Sequence, residues 1–432
     1  MRLKRVRMAK RGSGIWSKSF ISLFFVNGLL SLGQMMMNVL IALYADSLGA
    51  DASMVGFTVS AFAYTALALK FVSAPAIDAF RRKRILIGSL FVLALSYLMM
   101  SASSNIFMLV FARLLQGSAM AFTTTTCLAM ATDTLPPDHI SSGIGYFSVA
   151  QAACMAVGPM IGLNLAGAFG YNAAFATGGV LMLVGTAAVF LVKEPPHKRR
   201  PFKLSLGSMF AKETILPAFL AGLLAISFCN VNSFLALYAG ERGVGDDIGW
   251  YFTVNAIFML FSRPLVGRMA DKHGLVKVML PSMCSFALSF LIISQASSLP
   301  LFLLAAVFAA FGYGAAGPMI QAFCMKSVPP ERRGAGSSAY FIGMDVGNLV
   351  GPVIAGHVVG LVGYQLMWDV MIIPIGLAFL FVLAFRKRIT EADRRAAASA
   401  PDAEEAAPSP AASGEGPSGE GAEEGAKEAA GR

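Results

Sequence analysis

Apolar residues run along this chain in twelve blocks of about twenty, each closed by a short polar or charged break. A block of that length crosses the hydrocarbon of a bilayer as a helix, so the pattern predicts spans near 20–44, 54–76, 85–102, 106–131, 141–164, 173–192, 214–239, 248–269, 277–297, 300–324, 335–360 and 366–386. The blocks repeat at a spacing of about 193 residues. Gly28-Leu29-Leu30, Asn38 and Ala42-Leu43-Tyr44-Ala45 return as Gly222-Leu223-Leu224, Asn232 and Ala236-Leu237-Tyr238-Ala239. Asp78 returns as Asp271, Pro136-Pro137-Asp138 as Pro329-Pro330-Glu331, and Gly158-Pro159 as Gly351-Pro352. Several separate landmarks at one offset indicate a duplicated bundle. The expectation is an all-α integral membrane protein of twelve transmembrane helices in two pseudo-symmetric six-helix bundles.

The predicted organisation is a basic N-terminal segment (1–19), a first bundle (20–192), a linker (193–213), a second bundle (214–388) and a disordered tail (389–432). The linker is basic and broken by proline, and its stretch 202–210 has the character of a short interfacial helix. After about Thr390 the chain becomes an Ala/Glu/Pro/Ser/Gly tract, which buries too little apolar surface to offset ordering. Prolines within spans (Pro75, Pro159, Pro264, Pro281, Pro318, Pro352) are tolerated where neighbouring helices satisfy the freed carbonyls.

Composition agrees with lipid as the solvent: 56% of residues are hydrophobic and only 13% charged, where soluble chains carry about 25% charged. The net charge of +10 is unevenly placed. Basic clusters fall at Arg2 to Lys18, Arg81 to Arg84, Lys193 to Lys212, Arg268 to Lys277, Lys326 to Arg333 and Arg386 to Arg388, while the alternate loops are nearly free of Lys and Arg. By the positive-inside rule both termini are cytoplasmic, in a multi-pass protein of the cell membrane. Separate basic loops do not make a nucleic-acid surface. The first apolar run, Phe20 to Ala45, is too long for a signal peptide. Five cysteines (Cys127, Cys154, Cys229, Cys284, Cys324) all fall within apolar blocks, without metal-ligand or disulfide spacing.

The loop after the eighth block reads Arg263-Pro264-x-x-Gly267-x-x-x-Asp271-Lys272-x-Gly274-x-x-Lys277. Gly267 suits a close helix approach and Gly274 a tight turn, and the Asp271 carboxylate suits the positive end of a neighbouring helix. This loop closely resembles the cytoplasmic signature of the major facilitator superfamily. The first-half copy, around Asp78 and Arg82, has Ala74 and Arg81 at the glycine positions and Ala79 at the basic one. The resemblance implies a cytoplasmic latch, with Asp271 near Ser141 and Asp78 near Gly334.

Three further features follow the same resemblance. Arg113-Leu114-Leu115-Gln116-Gly117-Ser118-Ala119 in the fourth block resembles the family's second motif and implies a role for Arg113 in proton coupling or anionic substrate contact; its second-half counterpart is Ala306. Gly145, Gly158, Pro159 and Gly162 match part of the motif typical of the family's antiporters, echoed by Gly347, Gly351 and Pro352. Small residues four apart allow backbone-to-backbone packing, expected here at the hinge between bundles.

Asp345 is the one carboxylate deep in a block, about ten residues or roughly 15 Å from the cytoplasmic end. Such a group either carries a proton or forms a fixed ion pair with Lys70 or Arg113. Its first-half counterpart is Ala152. Asn27, Ser31, Gln34 and Asn38 form one stripe on the first helix; with Thr124, Asn232 and Tyr313 they are the candidate cavity lining. No phosphate-binding glycine loop, zinc spacing or nucleophile elbow appears, so no cofactor and no enzymatic activity is expected. The expected driving force is an ion gradient, and the expected partners are lipid and a small-molecule substrate of a monomeric carrier. The resemblance favours proton-coupled export by alternating access; uptake by proton symport of a sugar or other metabolite, and a non-transporting sensor, remain as alternatives.

Overall fold

The structure is a computed structural model that describes residues 16–135, 140–193, 212–328 and 333–398. The proline loops Pro136-Pro137-Asp138 and Pro329-Pro330-Glu331, the stretch 202–210, and the side chains of Asp78, Asp271, Ser141 and Gly334 lie outside what is described.

Among the described residues the chain forms α1 (Lys18–Ser47), α2 (Ala52–Ala79), α3 (Arg82–Ser101), α4 (Ile106–Thr134), α5 (Ile140–Phe190), α6 (Ile215–Glu241), α7 (Gly249–His273), α8 (Leu275–Gln295), α9 (Leu299–Lys326), α10 (Arg333–Val370), α11 (Ile372–Ala384) and α12 (Arg386–Ala398). Polar residues just ahead of the apolar runs start several of them. Ser17 accepts from the Phe20 amide (3.1 Å), Asp51 from Met54 (2.7 Å) and Asn105 from Met108 (2.9 Å), each satisfying a donor the helix cannot use itself.

Two helices are each a pair of crossings. α5 is broken at Gly170 (φ 82°) and α10 at Gly363 (φ 79°), glycines one repeat apart in a backbone region that side chains rarely adopt. Among the described residues nine helical stretches are long and apolar enough, by length and composition, to cross a bilayer. Two of these, Gly143–Phe190 and Ser338–Ala384, hold two crossings each. α7 is the remaining crossing, more polar because Asn255, Ser262, Arg263 and Arg268 lie along it. The twelve-span expectation is met, with α11 completing the last span. Phe107, Phe169 and Leu361 are among the many large apolar side chains left exposed, as helices solvated by lipid require.

The duplication is visible in packing. Within the first half α1 lies on α5, α2 on α4, and α3 on α4; within the second, α6 lies on α10, α7 on α9, and α8 on α9. Tyr44 donates to the Ser103 carbonyl, and its counterpart Tyr238 donates to the Ser294 carbonyl at 2.7 Å. The halves meet through α2 with α10, α5 with α7, and α1 with α6.

The boundary expected at residue 388 moves. α12 continues helical to Ala398, with Ile389 fully buried. Asp393 pairs with Lys326 at 2.6 Å and accepts from the Leu275 amide at 3.3 Å. That amide opens α8 directly after Gly274, whose φ of 86° makes the sharp turn read from the loop. Composition concealed this helix, because its alanine-rich end merges with the tract that follows. A stop codon after Ala398 is expected to leave thermal stability unchanged. A stop after Thr390 removes the Asp393 cap and leaves Lys326 unpaired, costing about 1–2 kcal/mol, measurable as a lower unfolding temperature of the purified protein.

Candidate functional site: the seam between the two halves

The end of the molecule bearing Arg81 to Arg84, Arg268 to Lys277 and Arg386 to Arg388 is here the basic end. At the opposite end the halves press together. A Cβ on Gly56 of α2 would lie 2.1 Å from the Pro352 carbonyl oxygen of α10, and one on Gly356 2.3 Å from that of Ala52. The pseudo-symmetric seam repeats this: a Cβ on Gly249 would come within 3.2 Å of Met160, and Thr253 donates to the Ala156 carbonyl at 2.8 Å.

Toward the basic end the close approaches stop. Gly145 on α5 and Gly267 on α7 would each add a Cβ into open space. The expectation that Gly267 serves a close helix contact is therefore corrected, and Gly145 takes no part in tight packing. The other antiporter-type glycines do pack closely, but inside each half. Gly158 and Gly162 receive Met35 and Met36 of α1, while Gly347 and Gly351 receive Gly222 and Ile226 of α6. Small residues reveal that a backbone comes close, not whose backbone it is. The close contact between the halves expected from them is made instead at Gly56, Gly249 and Gly356 and at Pro352 within α10, with Pro159 buried beside Met160.

Near mid-depth, among the described residues, one ion pair joins the halves: Lys70 of α2 to Asp345 of α10. The Lys70 ammonium also lies 5.9 Å from the centre of the Phe341 ring. Both side chains keep about a quarter to a third of their surface (30% and 26%), so the pair is reachable by water. Of the two partners the sequence offered for Asp345, the structure selects Lys70.

Arg113 is elsewhere. It is 1% exposed, donating to the Thr58 carbonyl (3.3 Å), to the Val59 carbonyl and to Gln116 Oε1 (2.7 Å). Its guanidinium carbon stands 4.5 Å from the Phe62 ring centre. Gln116 in turn donates to the Tyr97 hydroxyl at 3.3 Å. A guanidinium in a span costs about 2.5–3.5 kcal/mol on insertion scales; here carbonyls of α2 and an amide absorb it, and the residue clamps α4 to α2. The second half fastens the same interface without a charge, by Asn255 to the Ala306 carbonyl (3.0 Å) and Ser262 to the Ala310 carbonyl (3.1 Å).

The cavity stripe divides. Asn27 is buried and donates to the Phe147 carbonyl at 3.4 Å, a helix-to-helix bond, and Ser31 is buried too. Gln34, Asn38 and Asn232 are half-buried, and Thr124 is exposed with its hydroxyl on the Met120 carbonyl at 3.2 Å. Tyr313 stacks face to face on Phe228, centroids 3.8 Å apart and 4° from parallel. Of the latch residues, Arg82 pairs with Asp133 inside the first half, Lys272 is exposed, and the roles given to Asp78 and Asp271 fall on side chains outside the described set. Among the described residues no cluster of three His, Cys, Asp or Glu gathers as a metal site.

Comparison with known proteins agrees with this architecture. The Major Facilitator Superfamily profile matches residues 23–245 and 218–417. The chain is 24% identical over 388 residues to the multi-drug resistance efflux pump PmrA of Streptococcus pneumoniae, covering 85% of this chain and 96% of that one. It is 23% identical over 349 residues to multidrug resistance protein 2 of Bacillus subtilis, covering 76% and 86%. Among solved structures, the nucleoside transporter NupG superposes with a TM-score of 0.72 at 14% identity, covering 85% of this chain and 98% of that one. A POT family transporter in complex with 5-aminolevulinic acid gives 0.73 at 13%, covering 86% and 96%. With duplicated bundles, a seam between them and a profile that covers nearly the whole chain, the protein belongs to the Major Facilitator Superfamily and is a membrane transporter rather than an enzyme.

Proposed function

We propose that the protein is a proton-coupled antiporter of the plasma membrane that exports a small organic molecule by alternating access. The observation that carries this reading is the Lys70–Asp345 pair, the ionic contact that crosses between the halves at mid-depth. An ionised Asp345 holds α10 to α2. A proton taken up by Asp345 cancels that attraction, and substrate acts against it by binding the two arrangements unequally; a ligand shifts such an equilibrium only through differential affinity. With the basic loops taken as cytoplasmic, the arrangement described is closed outside, and the cavity is loaded from the cytoplasm. Export is favoured by the efflux relatives at 23–24% identity.

The test uses inside-out vesicles with an acidified lumen and a compound chosen by thermal-shift screening of drugs, sugars, nucleosides and organic acids. Adding the compound is expected to alkalinise the lumen, as protons leave in exchange for substrate. Acidification of the lumen would establish symport instead, and no pH change would remove proton coupling.

A further inference from the structure

We infer that the groove between α8, α11 and α12 at the basic end binds the headgroup of an anionic phospholipid, with an acyl chain laid along Leu280 and Leu383. Such a site stands whatever solute the carrier moves. The two repeats differ here. α3 (Arg82–Ser101) and α8 (Leu275–Gln295) begin one repeat apart, and each packs on the last span of its own half. In the first half Lys83 crosses the groove and donates to the Phe190 carbonyl at 2.9 Å and to the Val192 carbonyl at 2.7 Å, oxygens that a helix end leaves without an amide. One repeat on, these three positions are Val276, Leu383 and Phe385. A valine cannot make that bridge. The groove stays open there, as a cavity of about 530 Å³ with Val276, Leu280 and Leu383 in its wall.

α12 makes the rest of the wall cationic. Arg386, Lys387 and Arg394 stand at positions i, i+1 and i+8, on one face of that helix, and Lys277 of α8 joins them around the cavity. An adjoining face anchors the helix, through buried Ile389 and the Asp393–Lys326 pair. The ion pairs among the described residues lie elsewhere, so four cations share this wall with one carboxylate, Glu391. Like charges gathered round one space repel until an anion enters it. Phosphate suits them, because it accepts paired hydrogen bonds from guanidinium. Lys277 and Arg394 also border a second cavity of about 310 Å³ on the side of His273, which gives room for a headgroup beyond its phosphate.

Depth decides the source of that phosphate. The cations stand just past the end of α11, and in its last turns Leu380 and Leu383 are 59% and 38% exposed, on a surface that lipid covers. A phospholipid places its phosphate beside the cations and its chains beside those leucines, whereas a free phosphate leaves the apolar wall unfilled. Basic pockets between spans on the cytoplasmic side are suited to anionic headgroups, and the positive-inside rule puts this one in the cytoplasmic leaflet.

The experiment counts molecules bound to the purified full chain in neutral detergent, by native mass spectrometry at fixed ionic strength. The probes are dioleoyl phosphatidylglycerol, dioleoyl phosphatidylcholine and inorganic phosphate. One phosphatidylglycerol is expected to bind at least about tenfold more tightly than phosphatidylcholine, which has the same chains. Arg386→Gln and Arg394→Gln should each weaken it by about fivefold, and together by about twenty-five-fold. Arg84→Gln removes the exposed cation one repeat from Lys277, in the half whose groove Lys83 closes, and should change it by less than about twofold. Val276→Trp fills the cavity at constant charge and should weaken it by at least about tenfold. The unfolding temperature identifies a misfolded Val276→Trp, and the exposed arginine variants then carry the test. Equal affinity for the two lipids, or a preference unmoved by Arg386→Gln and Arg394→Gln, overturns the site. A preference that Arg84→Gln lowers equally, or that a folded Val276→Trp leaves intact, also overturns it, because a diffuse basic surface then accounts for the binding. Inorganic phosphate that binds as tightly as phosphatidylglycerol overturns the lipid as occupant.

Discussion

Asp345→Asn is expected to cut proton-gradient-driven flux in reconstituted vesicles by at least about tenfold while substrate affinity stays within about threefold. Asparagine keeps the shape and a hydrogen-bond acceptor for Lys70, but it neither binds the transported proton nor attracts the ammonium as a charge. Two unit charges 4 Å apart attract by about 4 kcal/mol at an effective dielectric of 20. Much of that is offset by desolvation and by the water that reaches a pair a quarter exposed. What survives need be only about 1.4 kcal/mol to change the ratio of the two bundle arrangements tenfold. The partner substitution separates this role from ordinary stability. Lys70→Met leaves a lone carboxylate within the span, and Asp345→Asn leaves a lone ammonium. The double variant leaves neither, and should unfold at a higher temperature than either single one while remaining uncoupled. Full gradient-driven flux by Asp345→Asn would refute the assignment.

How much of this was legible in advance depended on what each signal reports. Hydropathy counted the crossings because lipid imposes the same length on every span, and the gaps it left after residues 164 and 360 hold the breaks at Gly170 and Gly363, where only a glycine turns easily. Asp345 was visible as an isolated carboxylate, yet Lys70 and Arg113 were equal candidates to meet it. Their spacing along α2 and α4 does not say which faces the other half and which faces its own. The glycines of α5 and α10 misled in the same way: they mark close packing, but α1 and α6 fill those grooves, and the seam uses Gly56 and Gly249. α12 escaped detection because its order comes from one tertiary contact set, Asp393 with Lys326 and the Leu275 amide.

Two glycines of nearly identical crowding should behave in opposite ways, and that contrast tests whether the seam moves. A Cβ on Gly117 of α4 would sit 1.9 Å from the Phe62 carbonyl oxygen, and one on Gly56 of α2 2.1 Å from that of Pro352. Both clashes are with backbone, which yields little. Gly117 faces α2 of its own half, so Gly117→Ala strains every arrangement and should cost about 1–3 kcal/mol or more, read as a lower unfolding temperature and poorer yield. Gly56 faces the other half, so Gly56→Ala strains only the arrangement in which this seam is closed. The protein escapes by parting the halves, and the same strain becomes a shift in population. A cysteine at Ser53, next to Gly360 across the seam, reports it when the five native cysteines are replaced. Its labelling by an impermeant thiol reagent should be about tenfold faster with Gly56→Ala, one decade for each 1.4 kcal/mol of strain transferred. The unfolding temperature should fall much less than with Gly117→Ala. If Gly56→Ala instead matches Gly117→Ala in thermal loss and leaves labelling unchanged, the contact is a fixed part of the fold rather than the closing face of a carrier.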